Sequence, residues 1–132
     1  MSYSSFVSII RGIKIKDWDK FYNNLWEFSA ITNSELIGET AEYHNISRED
    51  VDGDLLREYL SDSGKLVWSE FLKCHFAGFN LLTIEVYGDN RYFDLEAITG
   101  ISKTIDEDSI GEFIKTYYKD YSVRDWLVEW TC

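Results

Sequence analysis

Two opposed compositions share this chain, and their coexistence limits what it can fold into. It carries 24 Asp and Glu against 13 Lys and Arg, a formal net charge of −11, yet 17% of its residues are aromatic and 45% are apolar. A chain of such charge with few aromatics stays unfolded, because it cannot bury enough apolar surface to offset the entropy lost on ordering. Here Trp18, Trp26, Trp68, Trp126 and Trp130, with eight Phe and nine Tyr, supply that surface. The charge therefore belongs on the outside of a folded body. A length of 132 residues suits one domain, residues 1–132; a domain of that size buries roughly two-thirds of its unfolded surface.

The charge is unevenly placed. Residues 34–65 hold nine acids (Glu35, Glu39, Glu42, Glu49, Asp50, Asp52, Asp54, Glu58 and Asp62) against Arg48, Arg57 and Lys65, so about a quarter of the chain carries more than half of the net charge. Residues 1–33 are slightly basic, with Arg11, Lys14, Lys16 and Lys20 against Asp17, Asp19 and Glu27. A folded body of net −11 repels nucleic acid and anionic membrane and attracts basic proteins, over a range set by salt.

Proline is absent and no Gly/Ser-rich stretch marks a linker, so no domain boundary is indicated. Two cysteines, Cys74 and Cys132, are too few for a disulfide framework, and Cys74 among Phe71, Leu72 and Phe76 reads as a buried free thiol. The opening Met-Ser-Tyr-Ser-Ser lacks the basic lead and apolar run of a signal peptide, and no stretch approaches 18 apolar residues. These features set the expectation of a cytoplasmic protein without a membrane partner.

Hydrophobic spacing gives the elements. Phe6–Ile15 reads as a strand with Gly12 as a possible bulge. Asp17 reads as an N-cap, and Trp18, Phe21, Tyr22, Leu25 and Phe28 then share one helical face, predicting a helix over 17–31. Leu36–Tyr43 reads as a short extended piece. Ser47 with Asp50 forms a capping-box variant, and Ile46 and Val51 a hydrophobic staple, for a second helix running through Leu55, Leu56, Tyr59 and Leu60 to a stop at Ser63-Gly64. Residues 66–77 fit a helix or a strand.

Leu81–Tyr87 and Arg91–Ile98, joined by Gly88-Asp89-Asn90, read as a β-hairpin. One of its two registers sets Glu85 opposite Asp94, a pair from which a glycosidase-like acid site could be built. Thr104 or Asp106 opens a further helix with Ile110, Phe113, Ile114, Tyr117 and Tyr121 on one side, and Ser122 with Asp125 caps a last one carrying Val123, Trp126, Leu127 and Trp130. Lys16-Asp17-Trp18 and Arg124-Asp125-Trp126 are alike as two helix starts. The fold class expected is α+β, an antiparallel sheet with helices packed mainly on one face. Trp18, Phe21, Leu25, Ile84, Val86, Phe93, Leu95, Phe113, Ile114 and Trp126 are the expected core.

No catalytic grammar emerges. Cys74-His75 and the distant His44 have no metal-ligand spacing, the glycines are scattered singly, and no G-x-S-x-G elbow or phosphate loop occurs. His75 reads as a core histidine and His44 as a surface one beside Tyr43. Asp50, Asp52 and Asp54 around Gly53 suggest a calcium loop, but counting from Asp50 places Leu55 where the loop needs Gly and Ser61 where it needs Glu. Neither metal nor cofactor is expected.

The expectation is therefore a small acidic protein, not an enzyme, that binds and inhibits a basic macromolecule such as a nuclease or another nucleic-acid-binding protein. Such proteins include toxin-immunity proteins and phage antagonists of defence enzymes. Glu49, Asp50, Asp52, Asp54 and Glu58 are the expected contacts, with Tyr43 and Tyr59 as aromatic anchors. The alternative is a small enzyme or ligand-binding protein using surface or pocket carboxylates.

Overall fold

A computed structural model describes residues 5–32, 34–86, 104–121 and 123–131. Strand β1 (Ser5–Ile15) leads into helix α1 (Trp18–Thr32), α2 (Glu35–His44), a 3-10 turn (Arg48–Asp50) and α3 (Gly53–Asp62). Strands β2 (Leu66–Ser69) and β3 (Cys74–Val86) follow, then a second 3-10 turn (Ile105–Glu107), helix α4 (Gly111–Tyr117) and strand β4 (Arg124–Thr131). The four strands form one antiparallel sheet in the order β2-β3-β1-β4. The class is α+β.

The sheet curls until its two edge strands, β2 and β4, approach one another. Two features of the β1–β3 ladder permit this. The register slips between Ile9 and Ile10, a bulge that bends the pair. Gly12 then lies opposite Gly78, where a Cβ on Gly12 would strike the Ala77 carbonyl and come within 2.7 Å of the Gly78 Cα. Only glycine lets the two backbones cross this closely.

Each face of the sheet has its own core. Ile10, Val67, Phe76 and Val128 fill the face enclosed by the curl, with Cys74, Trp126 and Trp130 packed at their margin. The Nε1–H of Trp126 donates to the Gly12 carbonyl at 3.0 Å, and that of Trp130 to Ser8 Oγ at 2.8 Å, so both indoles are pinned to β1. The other face, through Ile13, Ile15, Leu66 and Ala77, receives Phe21, Leu25 and Phe28 of α1, Leu36 of α2, Leu56 and Leu60 of α3, and Phe113 and Ile114 of α4. Phe21 meets Phe113 edge-on at 5.5 Å.

Helix α1 begins as its sequence indicates: Asp17 accepts the Lys20 amide at 3.1 Å, and the stripe of Phe21, Leu25 and Phe28 is buried. The α3 stop is also as expected. Gly64 takes φ +76°, and the Lys65 amide returns to the Leu60 carbonyl at 3.0 Å.

Several elements differ from the sequence reading. Leu36–Tyr43 is helical, because Leu36, Ile37, Thr40 and Ala41 form a helical stripe that docks on the neighbouring helices. Ser47 caps only the 3-10 turn and makes no side-chain bond; α3 starts at Gly53, with Asp52 accepting the Leu55 amide at 2.9 Å. Ile46 and Val51 do meet, in one cluster with Ile37 and Ala41. Residues 66–77 are strand, turn and strand. The helix after Thr104 is short, and Tyr121 lies beyond it.

The segment read as a terminal helix is β4, in which Trp126, Val128 and Trp130 share the enclosed face while Leu127 and Glu129 are exposed. Long-range pairing with β1 decides its conformation over local spacing. The Arg124-Asp125-Trp126 tripeptide thus opens a strand and Lys16-Asp17-Trp18 precedes a helix, so they are not two helix starts. Of the expected core, Phe21, Leu25, Phe113 and Ile114 are buried, Trp18, Ile84, Val86 and Trp126 are half-buried, and Phe93 and Leu95 lie outside the described residues. The hairpin turn, Arg91–Ile98 and hence the Glu85–Asp94 register lie outside them too; Glu85 is paired across the ladder with Phe6.

Candidate interaction face

The acid-rich segment folds into a helical hairpin, α2 and α3 joined through the 3-10 turn. Its inner side is apolar: Ile37, Ala41 and Val51 pack with Ile46 and Trp26. The capping Asn45 in the left-handed region (φ 55°) and the Ile46 amide bonded to the Ala41 carbonyl end α2 sharply and turn the chain back. Charged side chains are left for the outer side. Glu42, Glu49, Asp50, Asp52, Asp54 and Glu58 are all exposed. Among the described residues, none of these six lies within ion-pair distance of a basic side chain.

The three basic residues of the segment are engaged elsewhere. Arg57 lies 5.5 Å above the Trp18 ring, and the Arg48 guanidinium rests against Gly38, where a Cβ would come within 2.5 Å of it. Lys65 pairs with Asp108 at 2.9 Å, a largely buried bridge that ties α3 to the chain before α4.

Tyr43 and Tyr59 fall beside each other, ring centroids 5.5 Å apart, but they do different things. Tyr59 is half-buried and donates to Glu39 Oε1 at 2.8 Å, an oxygen that Ser109 Oγ also reaches at 2.8 Å. Burial first, and then the bond to Glu39, push its phenol well above the ordinary range. It is a strut joining α3, α2 and the segment before α4. Tyr43 is 51% exposed and donates to Asp62 Oδ2 at 2.6 Å; that hydrogen bond is the main reason its phenol is raised. Its ring leans on His44 and Tyr59 and leaves about half of its surface open to solvent.

The structure brings five expected contacts, Glu49, Asp50, Asp52, Asp54 and Glu58, and one expected anchor, Tyr43, onto one continuous hairpin; Asp52 doubles as the α3 cap. Sequence reasoning missed an apolar tip. The β2–β3 turn exposes Phe71 by 84%, with Leu72 also exposed, and Lys73 takes φ 54° to close it. The signal was present in Trp68-Ser69-Glu70-Phe71-Leu72, but the strand–turn–strand had to be recognised before its exposure could be.

Both histidines and Cys74 are packed against neighbouring groups. His75 stacks on Trp18 at 4.0 Å and leans on Trp68 at 4.7 Å, and burial, then the charge of Arg57, lowers its pKa to about 4. Cys74 is a half-buried free thiol packed toward the enclosed face, so these sequence neighbours point to opposite sides of the sheet. His44 is half-buried, bonded through Nε2 to the Leu55 carbonyl at 3.2 Å, and bridges α2 and α3 rather than standing free on the surface. Among the described residues no group of three His, Cys, Asp or Glu is placed to hold a metal ion.

The basic edge is also partly spent. Arg11 forms a two-pronged bond to Asp125 at 2.8 and 3.0 Å, which raises the Arg11 pKa and lowers that of Asp125. Lys16 sits 5.7 Å over the Tyr121 ring. Among the described residues, no helix is long and apolar enough to cross a membrane. Comparison of the chain with family models, curated proteins and solved structures returns no match.

Proposed function

We propose that this protein binds and blocks a basic macromolecular partner through the outer side of the α2–α3 hairpin, in the manner of a toxin-immunity protein or a phage antagonist of a nucleic-acid-binding enzyme. One observation carries the reading: six exposed carboxylates on one hairpin, with no ion pair to the rest of the described chain, beside a half-exposed tyrosine. Acids kept for internal structure look different here. Asp108 and Glu39 are each taken up by a neighbouring side chain.

Exposed like charges on adjacent turns repel one another and weaken a lone helix. A basic surface would relieve that repulsion and gain the Coulomb energy of the whole face, chiefly as a faster encounter. Tyr43 and the Phe71 tip then supply the kind of aromatic contact that slows dissociation. Nucleic acid would compete for the same partner, since it presents about one negative charge per 1.7 Å of duplex.

The test is affinity capture from the producing cell with the native protein and with a Glu49→Lys, Asp54→Lys, Glu58→Lys variant. The expected result is a basic protein recovered by the first, absent from the second, and displaced by added nucleic acid. A partner held equally by both would remove the hairpin from the interface.

A further inference from the structure

Beside this hairpin, between the C-terminal end of α3 and the mouth of the curled sheet, lies a cleft of about 550 Å³. That volume falls in the range of pockets that bury a small ligand or a long side chain. Its described lining carries acids and no base. Of the twelve described residues that line it, Asp62 and Glu70 are acidic, Glu70 in a pair with Lys73, and none is basic. The last turn of α3 also borders it through residues 61–64, presenting the negative end of a ten-residue helix dipole.

Hydrogen bonding sharpens the preference. The donors of the wall are largely committed within the protein: the Asn80 amide to Thr83 Oγ1 at 3.0 Å, Ser63 Oγ to the Leu60 carbonyl at 3.2 Å, and the Trp68 and Trp130 indole N–H groups to Glu70 and Ser8. Acceptor capacity is what remains. Among the described residues Asp62 accepts from Tyr43 alone, while Glu70 already accepts from Lys73 at 2.9 Å and Trp68 at 3.1 Å. A ligand suited to such a wall donates and does not accept, which describes an ammonium or guanidinium group. Trp130 adds an aromatic wall, held in place by Phe6 stacked at 4.3 Å.

We propose that this cleft is a cation pocket that takes the side chain of an arginine or lysine projecting from the basic partner. The inference rests on the reading of the protein as a binder of basic macromolecules, and it adds the chemistry of one specific contact. It places Asp62 as the principal counter-charge and makes the cleft an extension of the hairpin face.

The direct test titrates Nα-acetyl-arginine methylamide into the native protein while backbone amides and the Trp130 indole N–H are followed by NMR, with the uncharged isostere Nα-acetyl-citrulline methylamide as control. The expected result is saturable shifts at Trp130, Asn80 and Gly64 for the arginine compound only. An Asp62→Asn, Glu70→Gln variant, its fold checked by the same spectrum, should weaken binding at least about fivefold.

Equal binding of citrulline, or shifts confined to Glu49–Glu58 without saturation in the cleft, would overturn the pocket. The Glu49→Lys, Asp54→Lys, Glu58→Lys variant separates the two readings. If it loses a captured partner but the cleft ignores arginine, the pocket alone falls; if the cleft saturates while every partner stays bound to that variant, the hairpin face alone falls.

Discussion

The curled sheet and the α2–α3 hairpin are built on different terms. The sheet joins residues far apart in sequence, β1 pairing with both β3 and β4, and its enclosed face is sealed by Phe76, Val128 and two indoles bonded to β1. The hairpin is local. Ile37, Ala41 and Val51 pack within it, Leu36, Leu56 and Leu60 anchor it to the helical core, two tyrosine–carboxylate bonds and a histidine–carbonyl bond tie its helices, and its outer side is nearly all charge. The difference separates the duties: shape is fixed by buried side chains in both regions, and charge is concentrated on the outer side of the hairpin, away from them. Substitutions of buried side chains and of the outer acids should therefore differ in kind, costing stability in the first case and association in the second.

The largest effect belongs to the sheet. Gly12→Val places side-chain atoms against the Ala77 carbonyl and Gly78 backbone, which cannot yield without opening the β1–β3 ladder. The variant should fail to fold, seen as loss of the cooperative denaturant transition; a native-like transition would break the account of the curl. Phe113→Ala follows, since it empties the junction where Phe21, Phe28 and Tyr118 meet. A loss of about 3–5 kcal/mol by urea unfolding is expected, and a loss below 1 kcal/mol would misplace the helical core.

Within the hairpin the effects shrink. Tyr59→Phe breaks the bond to Glu39 and should cost about 1.5–3 kcal/mol, the scale of one partly buried bond to a charged group. Tyr43→Phe should leave stability unresolved from the native value while weakening partner binding. Equal stability losses for the two would erase the distinction between strut and anchor.

A smaller, pH-dependent effect comes from His75, whose folded pKa of about 4 lies below the ordinary 6.5. The unfolded chain accepts a proton that the folded chain refuses, so this contribution is whole above pH 6.5 and is lost as pH falls through that value toward 4. His75→Gln should be less stable at pH 7, having lost the Trp18 stack, yet show a shallower decline between pH 7 and pH 4. Parallel declines in urea midpoints would remove His75 as a cause.

How much of this was legible in the sequence depends on whether local or distant contacts decide each element. Asp17 with Phe21, Leu25 and Phe28, and Ser63-Gly64 at the α3 stop, are local signals, and the structure follows them. For β4, Trp126, Leu127 and Trp130 fit helical spacing as well as Trp126, Val128 and Trp130 fit alternation. Only pairing with β1 resolves the two. Leu36–Tyr43 is too short for its period to declare itself before Ile37 and Ala41 find Val51. For the candidate site, the density of acids was plain in the sequence, but the division of labour between Tyr43 and Tyr59 was not. That division depends on Glu39 and Ser109 converging from different elements. The cleft was illegible for the same reason, since β2 and β4 lie at opposite edges of the sheet and meet only through its curl.

The central claim is that the hairpin acids steer a basic partner, and its most direct measurement is the association rate against ionic strength for the native protein and for the Glu49→Lys, Asp54→Lys, Glu58→Lys variant. The account predicts that the native rate exceeds the variant's by at least about tenfold near 0.05 M salt, and that the two converge as screening shortens the reach of charge toward about 3 Å at 1 M. Stability of the two proteins should agree within about 0.5 kcal/mol, as for surface substitutions away from packed features. Rates that stay equal at every salt concentration would contradict it.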